Sequence, residues 1–503
     1  MVKLGCWAAF WGDTDRALPQ LLTVPDLDYL VSDYLSEVTM ALLVRAYAKD
    51  PGAGFVPDAV SALKPALGEI ARRSIKVVTN AGALNPEACA AALRLLIAEA
   101  GLKLRVAAVT GDNLLPRVDD IVRPDARDMF TGAPIPKTLG SLNVYIGALP
   151  IARALDAGAD IVVTGRCVDA AVVMGPLIHA YGWGPEDYDR LSAGALAGHI
   201  IECGPQCTGG THTDWHKVPG WDDMGYPVAS VDADGRIAIS KPDGTGGLIT
   251  PATVGEQILY EIGDPGAYLL PDVTCDWRDV QVTQIGPNRV QVSGAKGSAP
   301  TTTYKATCTL TDGYRVMATA MFAGLDAAGR ADRCGQAAVA RAQRLMAEDG
   351  FAAPTESSIE VIGAGATSAS PSPRDHDEVV LKIGLRHADK RALEIFSREF
   401  VTLALVAQGM TGLFAGRPGV SPVVKVLHLQ VPKMQAVLTF DLGEGAVPVE
   451  IPPGSAHART RTPALDEPPP YVPAADDLTV PLRAIAWARS GDKGNKANLG
   501  VIA

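Results

Sequence analysis

The sequence holds no apolar run near the ~18 residues that a bilayer-spanning segment needs, and no cluster of lysine and arginine. With 45 basic against 56 acidic residues and a net charge of −11, it lacks the phosphate-neutralising surface of a sequence-independent nucleic-acid binder. The opening stretch MVKLGCWAAFWGD (1–13) is too short and too soon interrupted for a secretory signal. The eight cysteines are scattered without disulfide-like spacing, so a cytoplasmic protein with reduced thiols is expected. Nucleotide motifs are missing as well. The loop SKPDGTGG (240–247) lacks the Lys-Ser/Thr ending of a P-loop, and GAGATS (363–368) lacks the third glycine of a dinucleotide fingerprint. Pro371 and Pro373 also disfavour a helix after it. No complete catalytic triad or metal-ligand set is visible. Nucleic acid, membrane and nicotinamide are therefore set aside, and a small-molecule partner remains.

What is present points to a soluble α/β protein. The chain has 503 residues, 47% hydrophobic and 20% charged, enough for two or three domains. Four apolar runs each end in a polar or glycine loop. They are IKVVT before Asn80, VAAVT before Gly111-Asp112, DIVVT before Gly165-Arg166-Cys167-Val168-Asp169, and RIAIS before Lys241-Pro242-Asp243-Gly244. The first three are spaced like strands of one parallel sheet with helices between them. Ligands of such sheets sit beyond the carboxyl ends of the strands, so Asn80, Asp112, Arg166 and Asp169 are expected at one edge.

The expected fold is a parallel doubly wound N-terminal sheet over 1–215. A β-rich middle section and a second α/β unit (about 335–450) follow over 216–460, then a Pro-rich linker at 461–480 and an incomplete domain at 481–503. The clearest helix is 86–100, with Asn85 as cap, Pro86 in the first turn and Gly101 past the end. Other helices are expected at 150–159, 169–181, 251–262, 334–348 and 389–409. The runs 228–239, 279–293, 302–310 and 315–323 suggest antiparallel strands. In the tail, RAIAWA (483–488) reads as a strand entering a glycine-rich loop, SGDKGNKAN (490–498).

Several residues suit binding or catalysis. Arg166, before a helix N-terminus, can receive a carboxylate or phosphate, or simply pair with Asp169. Asn80 and Asp112 can orient or deprotonate a hydroxyl, but both types are also common in turns. Lys241, Asp243, Gly244 and Gly246 could form an anion-binding loop or a tight turn. Asp33 and Glu37 lie four apart in a stretch, 33–48, that reads as a helix. Cys203, Cys207, His212 and His216 resemble zinc spacing superficially. Lys493 and Lys496 in the tail loop could meet an acidic group such as a CoA phosphate, or be solvated.

The stretches LDYLVSDYLSEVTMALL (27–43), VVTNAGALNP (77–86) and AVTGDN (108–113) resemble the acyclic terpene utilisation AtuA family. So do GADIVVTGRCVDAAVVMGPLIHAYGW (158–183), GHIIECGPQCTGG (198–210), the stretch from Gly225 to Val273, and ARSGDKGNKANLGV (488–501). The resemblance implies an enzyme of branched or terpenoid acid catabolism acting on an acyl-CoA thioester, with carbon–carbon lyase chemistry on a 3-hydroxyglutaryl type of substrate. Hydration or hydrolysis of the same class, or a non-catalytic acyl-CoA-binding subunit, are the alternatives. It also implies a ferredoxin-like C-terminal domain that continues beyond the present tail. It carries over Glu202 and Cys203 but not Cys207, His212 and His216, so no metal is expected. No cofactor is expected beyond CoA as part of the substrate, and a homo-oligomer is expected.

Overall fold

A computed structural model describes residues 1–365, 377–462, 478–493 and 496–502. Its largest element is an eleven-stranded sheet. The strands at its centre are β1 (Val2–Cys6), β2 (Tyr29–Ser32), β3 (Lys76–Ala83), β4 (Val106–Thr110) and, after β5 (Ser141–Val144) in a different sheet, β6 (Ile161–Gly165). The order is β1-β2-β3-β6-β4 and every neighbouring pair is parallel, with Val77 opposite Ile161 and Val106 also opposite Ile161. These strands are buried nearly end to end, as a sheet covered on both faces requires. That is why they read as continuous apolar runs and not as alternating ones.

Helix Pro86–Glu99 makes the crossover from β3 to β4. The Asn85 side chain accepts a hydrogen bond from the Ala88 amide (3.2 Å), and Cys89, Ala90, Leu93 and Ile97 form the buried face. The helix expected at 150–159 is Leu149–Asp156, and the one behind β6 is Ala171–Tyr181. A further helix, Tyr188–Ile201, is buried on every side from Leu191 to Ile201.

The sheet continues beyond its parallel part. β7 (Val228–Val231) pairs antiparallel with β1, and β8 (Ile237–Ser240) with β7. Strands Arg289–Ser293 and Gln281–Gly286 follow outward. Thus the strands of 228–293, expected in a separate β-rich section, extend the N-terminal sheet. At the other edge Thr439–Asp441 and Ala446–Pro448 add to β4.

The described chain divides into two compact units, Met1–Cys308 with Leu427–Ala503, and Thr309–Val426. In the second unit, strands Glu356–Ile362 and Glu378–His387, the later part of Thr303–Ala323, and Met410–Leu413 form an antiparallel sheet. Glu378–His387 alternates buried and partly exposed residues, and helices Ala327–Glu348 and Lys390–Thr402 cover the buried face. The first of these helices starts earlier than its apolar pattern, where Asp326 caps it through the Gly329 amide. The second ends at Thr402, short of the expected 409, in a turn of 3-10 helix.

The tail forms an antiparallel hairpin, Trp487–Lys493 with Lys496–Ile502. Ser490, Gly491 and Asp492, expected in a loop, lie in its first strand, while most of the apolar RAIAWA precedes it. Residues 463–477 of the expected linker, and Gly494 and Asn495, lie outside the described residues. No helix among the described residues is long and apolar enough to cross a membrane.

Candidate functional site

The carboxyl ends of the parallel strands gather polar side chains within the first unit. At the end of β2, the Asp33 amide donates to the Ala8 carbonyl (2.9 Å), so Asp33 belongs to a strand-end loop and not to a helix. The helix begins at Glu37, with Ser36 as its cap. Asn80, in β3, locks onto this loop from both ends of its amide. Its Nδ2 donates to Asp33 Oδ1 (2.5 Å), and its Oδ1 accepts from the Tyr34 amide (2.8 Å). Beside it, Ser32 donates to Thr79 Oγ1 (2.8 Å).

β4 and β6 are joined by Asp112. Its Oδ2 accepts from the Arg166 amide (2.9 Å) and from Asn143 Nδ2 (2.8 Å). Gly165 leaves the room this needs, since a Cβ there would lie 2.3 Å from Asp112 Oδ1. Arg166 is 3% exposed in its side chain and donates through a terminal nitrogen to Asp169 Oδ1 (3.0 Å). Its guanidinium lies 4.2 Å from the centre of the Tyr145 ring. The Tyr145 hydroxyl donates to Glu37 Oε1 (3.0 Å) and accepts from Thr307 (3.0 Å). Lys305 Nζ is 3.6 Å and His428 Nε2 3.7 Å from Glu37 Oε1.

A third side is built by helix Tyr188–Ile201. Its last turns place His199 with Nδ1 3.3 Å from Glu202 Oε1, and the Glu202 carbonyl accepts from the Cys6 thiol at the end of β1 (3.7 Å). The helix is rich in Ala and Gly and buried throughout from Leu191 on, so it shows no apolar stripe from which its end could be read.

Burial shifts several of these side chains from their ordinary titration. It raises the Asp33 carboxyl well above its usual range, and the nearby Asp169 and Glu202 charges add to it, against the opposing Arg166 and Asn80. Burial works against the Arg166 charge, but Tyr145, Asp169, Glu37 and Asp33 outweigh it and hold its pKa high. Burial, with Glu202, Asp33 and Asp169, raises Cys203, so its thiol stays protonated. Asp112 is pushed up to about 6 by burial, against its hydrogen bonds from Asn143 and backbone amides.

This last shift has a measurable consequence. Because the folded pKa of Asp112 lies above the ordinary 3.8, the folded state takes up the extra proton between the two values. Stability from this group is therefore lost as pH rises from 3.8 to about 6. An Asp112→Asn variant keeps an acceptor oxygen for Asn143 and the Arg166 amide and carries no titrating group. It is expected to gain on the wild type across that window, by on the order of 3 kcal/mol at most. Denaturant unfolding at several pH values checks this, and parallel stability curves for the two proteins would refute it.

The structure thus brings together Asn80, Asp112, Arg166, Asp169 and Glu202, four of them at ends of adjacent strands. Asp112 serves as a buried knot between strands, and Arg166 is engaged by Asp169. Lys241, Asp243, Gly244 and Gly246 belong to the turn that follows β8. Lys241 Nζ donates to the Thr245 carbonyl (2.6 Å), Gly246 packs on Gly220 with no space for a Cβ, and burial lowers Lys241. This is a self-closed turn braced on 220–225. Lys493 ends the first hairpin strand, and its side chain lies outside the described residues. The zinc-like residues are divided among other partners: Cys207 donates to the Gly204 carbonyl, and His212 Nδ1 sits 3.0 Å from Glu256. No three or more His, Cys, Asp or Glu side chains among the described residues are placed to hold a metal ion. Sequence reasoning missed Asn143, Tyr145, Lys305, Thr307 and His428, which carry no motif, and passed over His199 within the stretch 198–210.

No curated protein and no solved structure matches the chain. Residues 2–441, however, match the description "acyclic terpene utilisation family protein AtuA", and they include every residue of this strand-end cluster. The chain belongs to the acyclic terpene utilisation AtuA family.

Proposed function

We propose that this chain is an enzyme of branched or terpenoid acid catabolism acting on an acyl-CoA thioester, with carbon–carbon lyase chemistry on a 3-hydroxyacyl or 3-hydroxyglutaryl substrate. Family membership implies a role in acyclic terpene utilisation. The observation that carries the reading is the pairing of unlike carboxyl groups. Burial raises the Asp33 carboxyl well above its usual range, while Asp169 lies 3.0 Å from a buried guanidinium and is partly open to solvent. Groups whose environments differ in this way suit an acid and a base in one site.

In this reading Asp169 takes the proton of the substrate 3-hydroxyl. The O–H pair becomes the C3 carbonyl, and the pair of the adjacent C–C bond moves into an enolate. The Arg166 fork and Lys305 steady the negative oxygens. Asp33 then protonates the enolate carbon, and the proton left on Asp169 restores it. The products are an acetyl thioester and a keto acid, or acetate and a 3-keto thioester, according to which side of C3 is cut.

The internal pairing of Arg166 favours a second reading, in which the same residues bind an acyl-CoA without turning it over. Incubation of the purified chain with a panel of branched acyl-CoA thioesters, followed by mass spectrometry and a binding titration, separates the two. Cleavage products support the lyase. Binding without product supports the binding subunit, and hydrated or hydrolysed product supports hydratase or hydrolase chemistry. Neither binding nor product from any thioester would remove acyl-CoA from the reading altogether.

A further inference from the structure

The C-terminal hairpin is fastened to the body of the first unit by specific contacts. The Arg489 guanidinium stacks 4.5 Å from the Tyr260 ring centre and donates to Gln206 Oε1. The Ala488 backbone exchanges hydrogen bonds with Thr213 Oγ1 (3.1 and 3.2 Å). Asn498 Nδ2 donates to the carbonyls of Leu259 and Ile262 (both 3.1 Å), which satisfies the end of helix Pro251–Leu259. Gly491 and Gly500 lie so close that an added Cβ would sit 2.6 Å from the Glu261 side chain and 2.7 Å from that of Leu259. The face of the strand pair that carries Asn498, Gly500 and Ile502 is thereby partly covered, while Leu499 and Val501 on the other face stay exposed.

This docking places the start of the returning strand. Lys496 Nζ, at the start of the returning strand, is 4.5 Å from the centre of the Phe130 ring. The same ring faces His428 (5.2 Å between centres, edge-on) and Lys305 Nζ (6.0 Å). His428 and Lys305 meet Glu37 of the strand-end cluster, as Tyr145 does. Phe130 is 46% exposed, and Lys496 is exposed as well. A cation from a distant part of the chain is therefore held over an aromatic face at the solvent side of the site.

We infer that the hairpin is a wall of the substrate site and that Lys496 is a specificity residue that receives a phosphate of CoA at its mouth. This rests on the acyl-CoA reading. It adds the part of the substrate that the hairpin recognises and the residue that does so. An ammonium held at the rim over an aromatic ring meets a phosphate without the desolvation that a buried lysine would suffer. The strand-end residues inside are left for the acyl part.

The test uses the full chain and three probes: CoA, a branched acyl-CoA, and the matching acyl-pantetheine thioester, which has no CoA phosphates. Lys496→Met is expected to weaken both CoA ligands roughly 10-fold or more, the loss of a charge-assisted contact, and to leave the acyl-pantetheine unchanged. Gly491→Val keeps Lys496 but should lift the hairpin from Glu261, and is expected to produce the same selective loss. If the wild type binds CoA and neither variant alters it, the inference falls while the acyl-CoA reading stands. If both variants weaken acyl-pantetheine equally, the contact is not to phosphate and the assignment is wrong. If the wild type binds no CoA compound, the acyl-CoA reading fails and takes this inference with it.

Discussion

Asp33→Asn is expected to lower turnover by roughly 10²–10⁴-fold, the range for loss of a general acid, while the protein remains folded. The amide keeps an acceptor for Asn80 Nδ2 and for the Leu35 amide, which donates to Asp33 Oδ1 at 3.2 Å. It loses only the transferable proton. The pH dependence separates this role from a structural one. Asp33 has a pKa raised by burial and by Asp169 and Glu202, so the protonated, donating form persists at higher pH than for an ordinary carboxyl. Wild-type activity should fall on the alkaline side as pH climbs through that raised pKa, and the variant's residual activity should lack this limb. Stability has the same sign. The folded state holds the extra proton, so the wild type loses stability as pH rises between the unfolded and folded values, and the variant does not. Rate profiles of both proteins on a substrate found by the thioester panel give the comparison. A variant with full activity, or with an unchanged alkaline limb, would show that Asp33 is not the acid.

The parallel strands were legible because burial on both faces makes them continuous apolar runs, and because Asn85-Pro86 and Gly101 bracket a helix between two of them. Their polar ends followed from the sheet's handedness and connectivity alone. This is why Asn80, Asp112, Arg166 and Asp169 were expected together. The same rule could not tell a reactive carboxylate from a knot. Asp112 and Asp33 both follow apolar runs and both accept backbone and amide donors, yet only Asp33 is set beside the charges of Asp169 and Glu202. Asp33 was obscured further, because its spacing from Glu37 fits a helix that begins only after Ser36. Tyr145, Lys305 and His428 come from segments far apart in sequence that meet only in space. Lys241 and its glycines have the composition of an anion loop but use it to close a turn. Segments 228–239 and 279–293 carry the Val, Thr and Ile of antiparallel strands, but nothing local says that they join a parallel sheet at its edge.

Arg166→Met is expected to destabilise the fold by about 3–5 kcal/mol at neutral pH, as for a buried charge stripped of its partner. The side chain is 3% exposed, and its positive charge stands among Asp169, Glu37 and Asp33. Methionine fills part of the volume over the Tyr145 ring but leaves Asp169 without its 3.0 Å partner and Glu37 facing fewer cations. The cost is one of unbalanced acids, so it should shrink as the pH is lowered and the carboxylates take up protons. A packing defect would cost the same at every pH. Arg166→Lys restores the charge but not the planar fork. It should recover most of the stability and little of the activity, since one ammonium cannot hold Asp169, lie flat on Tyr145 and face a substrate oxygen together. Chemical unfolding of the three proteins at pH 5 and pH 7.5, set beside their turnover, resolves these outcomes. A pH-independent loss in Arg166→Met would mean that the guanidinium acts by packing, and full activity in Arg166→Lys would remove the fork from the mechanism.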